Sequence, residues 1–167
     1  GMKQVDWRPE WNVLDIGCGG GANVKRLLKL CPQGKVYGMD LSEESVAFAR
    51  RHNAGELDRR CFIQQGDFCS LPYGDGAFDA VTAFETVYFW SSVSKALAEV
   101  FRVIRKGGCF LISLEASDPE LGKAWTERIK GMTVYGAEEL KQLLSQAGFS
   151  DIRVIQKKEE LHIVAHK

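Results

Sequence analysis

The sequence has no excess charge of either sign. Its 22 Lys plus Arg balance 22 Asp plus Glu over 167 residues, so nothing in its overall charge marks a nucleic-acid or anionic-membrane ligand. No apolar run reaches the length of a membrane span, and no signal-peptide pattern opens the chain. The five cysteines (18, 31, 61, 69 and 109) are odd in number, and no two are spaced as Cys-x-x-Cys. That argues against a disulfide framework or a structural zinc, predicts no metal, and points to reduced thiols in a cytoplasm. Gly1-Met2 reads as a tag remnant and is set aside from the fold. There is no internal repeat, low-complexity segment or linker, so 1–167 reads as one domain. No heptad or repeated hydrophobic face argues for a particular assembly.

What is present is alternation. Short apolar strands are expected at 12–16, 35–40, 60–64, 78–84 and 109–114, separated by helical spacings. Ser42 is placed to cap a helix with Glu43 and Glu44 in its first turn. Val93, Leu97, Val100, Phe101 and Ile104 give the clearest helical face, with Lys106-Gly107-Gly108 as its end. Asp118 and Pro119 are expected to start another helix, and Leu140, Leu143, Leu144 and Ala147 mark one that stops at Gly148. The last two strands, 152–155 and 161–165, are joined only by Lys157-Lys158-Glu159-Glu160. So short a link forbids a parallel crossover and demands an antiparallel hairpin. The predicted fold is α/β: a Rossmann-like, open, mostly parallel seven-stranded sheet with helices on both faces and an antiparallel C-terminal strand.

The chemical signal starts at Val13-Leu14-Asp15-Ile16-Gly17-Cys18-Gly19-Gly20-Gly21. A buried strand running into glycines that open a helix lets a ligand approach the backbone, and the helix N-terminus favours a carboxylate or phosphate. Asp40 ends the second strand, at the offset of an acid that accepts from ribose hydroxyls. Asp67 follows the third strand, where an acid can accept from an adenine amine; both acids read also as turn or cap residues.

With those residues in view, the chain resembles the class I S-adenosylmethionine-dependent methyltransferases, especially the ubiquinone/menaquinone-biosynthesis-like branch. Segments 13–21, 37–42, 66–72, 78–90 and 97–112 carry the resemblance. Glu99-Val100-Phe101-Arg102-Val103-Ile104-Arg105-Lys106-Gly107-Gly108 is similar to the family's E-x-x-R-V-L-K-P-G-G stretch, with Lys106 where proline is commoner. The resemblance implies S-adenosylmethionine as cofactor. Gly17, Cys18 and Gly19 belong to the loop around its methionine part, and Asp15 orients it through the amino group or a water. Asp40 would take the ribose, with Met39, Leu41 and Phe68 flanking the adenine and Asp67 on its amine. Ala83, Phe84 and Glu85 would lie beside the sulfonium. Met39, Leu41 and Phe68 read equally well as core.

Methyl transfer from a sulfonium is an in-line displacement, so the protein's work is alignment and exclusion of water. A base is needed only where the acceptor loses a proton. Glu85 and Tyr88, within Phe84-Glu85-Thr86-Val87-Tyr88-Phe89-Trp90, are the catalytic candidates, and the aromatic run is a candidate wall of the acceptor pocket. The three histidines are expected far from the ligand rim: His52 in a helix, His162 and His166 in the terminal strand. No Asn-Pro-Pro-Tyr, Asp-Pro-Pro-Tyr or Pro-Cys follows the fourth strand, which favours a small organic acceptor over a nucleic acid. About ten residues precede the first strand, where the family carries covering helices, so an open site is expected. Two rival readings remain. One is an NAD(P)- or flavin-dependent oxidoreductase, since Gly17-x-Gly19-x-x-Ala22 fits a dinucleotide fingerprint. The other is a cofactor-binding domain without catalysis.

Overall fold

The computed structural model describes residues 1–120, 122–158 and 160–167. Seven strands follow the expected alternation: β1 (Val13–Ile16), β2 (Val36–Asp40), β3 (Cys61–Gln65), β4 (Phe78–Phe84), β5 (Ile104–Leu114), β6 (Ser150–Lys157) and β7 (Glu160–His166). They form one sheet in the order β3-β2-β1-β4-β5-β7-β6. The first five are parallel, and β7 runs antiparallel to both β5 and β6. β1 is buried at all four positions, as a central parallel strand covered on both faces must be.

Helices α1 (Ala22–Leu30) and α2 (Glu43–His52) cover one face, where Val13, Val36, Cys61, Ala80, Leu111 and Val164 meet Val24, Leu27 and Ala49. Helices α3 (Val93–Val103) and α5 (Ala137–Gln146) cover the other, where Leu14, Ile16, Val81, Phe110, Ile112 and Ile163 meet Leu97, Val100, Leu140 and Leu144. Alternate residues of each strand thus serve opposite layers. Ser42 caps α2 as expected, its Oγ accepting from the Ser45 N–H at 3.2 Å.

Two boundaries differ from expectation. α3 stops at Val103, and Ile104 already pairs with Phe78 as part of β5. Lys106-Gly107-Gly108 therefore lies inside a strand, at a register shift. Gly107 turns there at φ +77°, and Gly108 approaches Asp79 so closely that a Cβ would meet its carbonyl oxygen at 2.6 Å. Nor does a helix start at Asp118-Pro119. Asp118 Oδ1 instead accepts from the Glu120 N–H at 2.9 Å. This turn competes with a helical start, and the helix that follows, α4, is Lys123–Arg128 with Gly122 at its N-cap. Leu121, inside the expected helix, and Glu159, in the expected β6–β7 link, lie outside the described residues.

Candidate active site

The glycine loop leaves β1 at the rim where β1 and β2 end side by side, Ile16 paired with Met39. The N–H groups of Gly17 and Cys18 both donate to the Met39 carbonyl, at 2.8 and 3.0 Å, which closes the turn. Gly17, Gly19 and Gly21 hold φ values of +70°, +49° and +77°, a region that costs a side chain energy. At Gly17 a Cβ would meet Thr86 Oγ1 at 2.0 Å. At Gly19 it would meet nothing within 4 Å, so this crest of the loop faces open space.

Asp40 joins the loop to the second strand. Its Oδ2 accepts from the Gly19 N–H at 2.8 Å and its Oδ1 from the Ser42 N–H at 3.0 Å. Each oxygen keeps a further lone pair for a ligand hydroxyl. Asp67 is exposed past the end of β3, with Oδ1 accepting from the Cys69 N–H at 2.9 Å. Leu41 is 49% exposed, whereas Met39 is fully buried and the Phe68 ring packs in the core 6.0 Å from Trp90. Of the three residues expected to flank an adenine, only Leu41 offers an open side chain; Phe68 offers its backbone beside Asp67.

Asp15 sits below the loop at 1% exposure, and its Oδ1 accepts from Thr82 Oγ1 at 2.6 Å. Burial pushes its carboxyl up to about 7, the Thr82 hydroxyl opposing this and the Asp40 carboxylate adding to it. Cys18 is buried too, and desolvation raises its thiol well above the usual range, leaving it unreactive.

Glu85 follows β4 at φ +53°, a conformation rare for a side-chain-bearing residue and frequent at functional sites. Desolvation raises its carboxyl, with the Tyr88 hydroxyl opposing the shift and Glu115 adding to it. The Tyr88 hydroxyl donates to Glu85 Oε2 at 3.1 Å and accepts from the Ala116 N–H at 3.0 Å. Burial raises the Tyr88 phenol far above its usual range.

A cavity of about 490 Å³ opens at this rim, on the α1 side of the sheet. Phe84 and Glu85 line it from the end of β4, and Ser113 and Glu115 from the end of β5. Asn23 and Arg26 of α1, Glu160 and His162 of β7, and Gly1 and Met2 complete the wall. This corrects the expected place of one histidine. Because β7 is reversed, its start lies at the rim, where His162 pairs with Ser113, while His166 pairs with Cys109 at the opposite end. Ser113, Asn23 and Arg26 were also missed, and neither spacing nor composition marks them. Only Gly1 and Met2 of the N-terminal segment reach this cavity; the chain then runs back along the α1-side layer, where Val5 and Trp11 are buried, toward the end of the sheet that holds Cys109 and His166.

The strand order, the glycine turn and the acid at the end of β2 define a cofactor-binding α/β domain of the methyltransferase class. The profile of the methyltransferase domain family matches residues 14–112, and the chain belongs to that family, within the class I S-adenosylmethionine-dependent methyltransferases. It is 36% identical over 120 residues to a demethylmenaquinone methyltransferase of Symbiobacterium thermophilum, a match covering 71% of this chain and 47% of that one. The YcgJ protein of Bacillus subtilis is similar at 28% identity and TM-score 0.80, over 93% of this chain and 68% of that one. A SAM-dependent methyltransferase of Aquifex aeolicus is similar at 25% identity and TM-score 0.82, over 98% and 86%. The chain spans about half the length of the curated relatives it matches first.

Proposed function

We propose that this chain binds S-adenosylmethionine and transfers its methyl group to a small organic molecule. The observation that carries this reading is the Asp40 carboxylate, fixed by the N–H groups of Gly19 and Ser42 at the joined mouths of β1 and β2. The residues fit the cofactor. The open crest at Gly19 admits the methionine part without meeting a Cβ, Gly17 and Cys18 shape the turn below it, and Asp40 receives the ribose hydroxyls. Leu41, exposed Asp67 and the Phe68 backbone bound the adenine, and Phe84 closes the sulfonium end. The cofactor supplies an activated methyl on sulfur; the chain supplies alignment and a dry approach.

Glu85 and Tyr88 act as a pair. Tyr88, engaged on both sides of its oxygen, braces the strained Glu85 at the rim. The small acceptor is supported by relatives named for quinone, fatty-acid and sterol methylation and by a chain without net charge, which also disfavours nucleic acid. Five free cysteines favour a cytoplasmic setting. Among the described residues no helix is long and apolar enough to cross a membrane.

A thermal-shift titration with S-adenosylmethionine, S-adenosylhomocysteine, NAD and NADP tests the reading. At a hundred times its dissociation constant a ligand stabilises by about 2.7 kcal/mol, a rise of roughly 5–10 °C for a chain of this size. The rise is expected with the two adenosyl compounds and not in Asp40→Ala. A rise confined to NAD or NADP would replace methyl transfer by redox chemistry.

A further inference from the structure

We propose that the cleft between α1 and the turn after α2 is a second ligand site, taking a small phosphate monoester that carries a hydroxyl, and that its occupancy is felt at the glycine loop through Asn53. The cleft stands apart from the cofactor reading; only its effect on cofactor affinity rests on that reading.

Shape comes first. A cavity of about 270 Å³ lies along the flank of α1, with Leu28 in its wall. Gly55 leaves it open on the far side, since a Cβ there would meet nothing within 4 Å. It falls below the roughly 300–1,000 Å³ of a pocket for a drug-sized ligand, so it suits a molecule of a few carbons.

Charge sets the sign of the ligand. Lys25, Lys29 and Arg60 on the wall face a single carboxylate, that of Glu56. Arg60 Nε donates to Glu56 Oε2 at 3.2 Å, and its Nη1 donates to the carbonyls of Cys31 and Gly34 at 3.2 and 3.4 Å. That pair is satisfied. Lys25 and Lys29 stand one helical turn apart and form no ion pair among the described residues. Like charges at this spacing repel, and α1 contains no acid to offset them. Two free ammonium groups match the charge of about −1.5 to −2 on a phosphate monoester at neutral pH. A carboxylate would neutralise only one.

A buried acceptor without a donor gives the second half of the ligand. Asn53 lines the cleft and is 5% exposed. Its Nδ2 donates to the carbonyls of Ala49 and Gly21, at 2.9 and 3.1 Å, which fixes the orientation of the amide. Its Oδ1 is buried and has no hydrogen-bond partner, a costly state for a carbonyl oxygen. The two ends of an amide point apart, so with Nδ2 on the glycine loop, Oδ1 turns away from the loop to the cleft side. A hydroxyl beside the phosphate supplies the donor that Oδ1 lacks.

Asn53 also links the cleft to the loop. Gly21 ends the glycine loop as the N-cap of α1, at φ +77°. A Cβ on it would meet Asn53 Nδ2 at 2.6 Å, so the amide lies directly against the loop. A ligand on Oδ1 holds the amide, and with it the Gly21 carbonyl, before the cofactor arrives. Such preorganisation lowers the cost of ordering the loop and tightens cofactor binding.

The test titrates the whole chain with glycerol 3-phosphate by calorimetry. Millimolar or tighter binding is expected, weakened at least about tenfold in the double variant Lys25→Gln/Lys29→Gln. Methyl phosphate, with the charge and no hydroxyl, should bind wild type about fivefold or more weakly than glycerol 3-phosphate; this removes the Asn53 contact without touching the fold. NMR should show the Gly21 amide shifting with glycerol 3-phosphate in wild type and not in the double variant. With the cleft saturated, S-adenosylhomocysteine should bind about fivefold more tightly. The proposal is overturned by no binding of glycerol 3-phosphate, by equal binding in the double variant, by methyl phosphate binding as well, by an unmoved Gly21 amide, or by an unchanged S-adenosylhomocysteine affinity. Capture on vesicles bearing lysophosphatidic acid, with no binding of the free ester, overturns it too. If wild type binds no S-adenosylhomocysteine at all, the cofactor reading falls, and the phosphate titrations with the Gly21 amide still decide this proposal.

Discussion

Asp15 sets the pH response of the unliganded protein. Its carboxyl lies near 3.8 in an unfolded chain and about 7 when folded, so between those values the folded state holds the extra proton. Stability then falls as pH rises from about 4 to about 7, the sign opposite to that of a salt-bridged aspartate. At about 1.4 kcal/mol per pKa unit, the loss is a few kcal/mol. Denaturant melts at pH 4.5 and 7.5 should show it in wild type and show far less of it in Asp15→Asn, which keeps the shape and removes the titration. The glycines divide in a similarly readable way. Gly17→Ala places a Cβ against Thr86 in a left-handed conformation and should cost about 2 kcal/mol or more. Gly19→Ala meets no protein atom and should cost about 1 kcal/mol, yet weaken S-adenosylhomocysteine binding; paired melts and calorimetry separate the two effects. The place of Asp40 beside the glycine loop was legible in the sequence, from its offset at the end of the second strand. His162 was not. Its place at the rim depends on which way β7 runs past β5, and a histidine between apolar residues reads the same in either direction.

Among the elements, the segment matching the family's E-x-x-R stretch shows what such a pattern does physically. Glu99 accepts from the Leu71 N–H at 2.8 Å and from Arg102 Nε at 2.8 Å. Arg102 in turn donates to the carbonyls of Leu71 and Tyr73, at 3.0 and 2.7 Å. Helix α3 thus clamps the β3–β4 connection just past Asp67. Arg102→Met takes the donor from two partly buried carbonyls and the cation from the Glu99 and Asp75 carboxylates, so a loss of about 1–3 kcal/mol is expected. Hydrogen exchange should locate it, with faster exchange at 69–77 and little change in β1. The same region shows where pattern reading stops. Helical spacing continues through Ile104, yet Ile104 is buried as the first residue of β5; one apolar residue satisfies either element, and only the pairing with Phe78 decides. At 118–120 the competing Asx turn is local chemistry that a helix-start pattern of Asp and Pro does not exclude.

Across the whole molecule, the alternation of apolar strands and amphipathic helices was enough to predict seven strands and the closing hairpin, because each strand's burial is written in its own residues. The order of strands across the sheet was not so written, and neither was the cavity, which needs α1, β4, β5 and β7 together. That order has a consequence for how the protein is made. The last strand of the chain is an inner strand: β7 lies between β5 and β6. Until β7 has been made and has docked, β5 has a bare apolar edge. Loss of β7 would leave β6 with nothing to pair with and would take His162 from the rim.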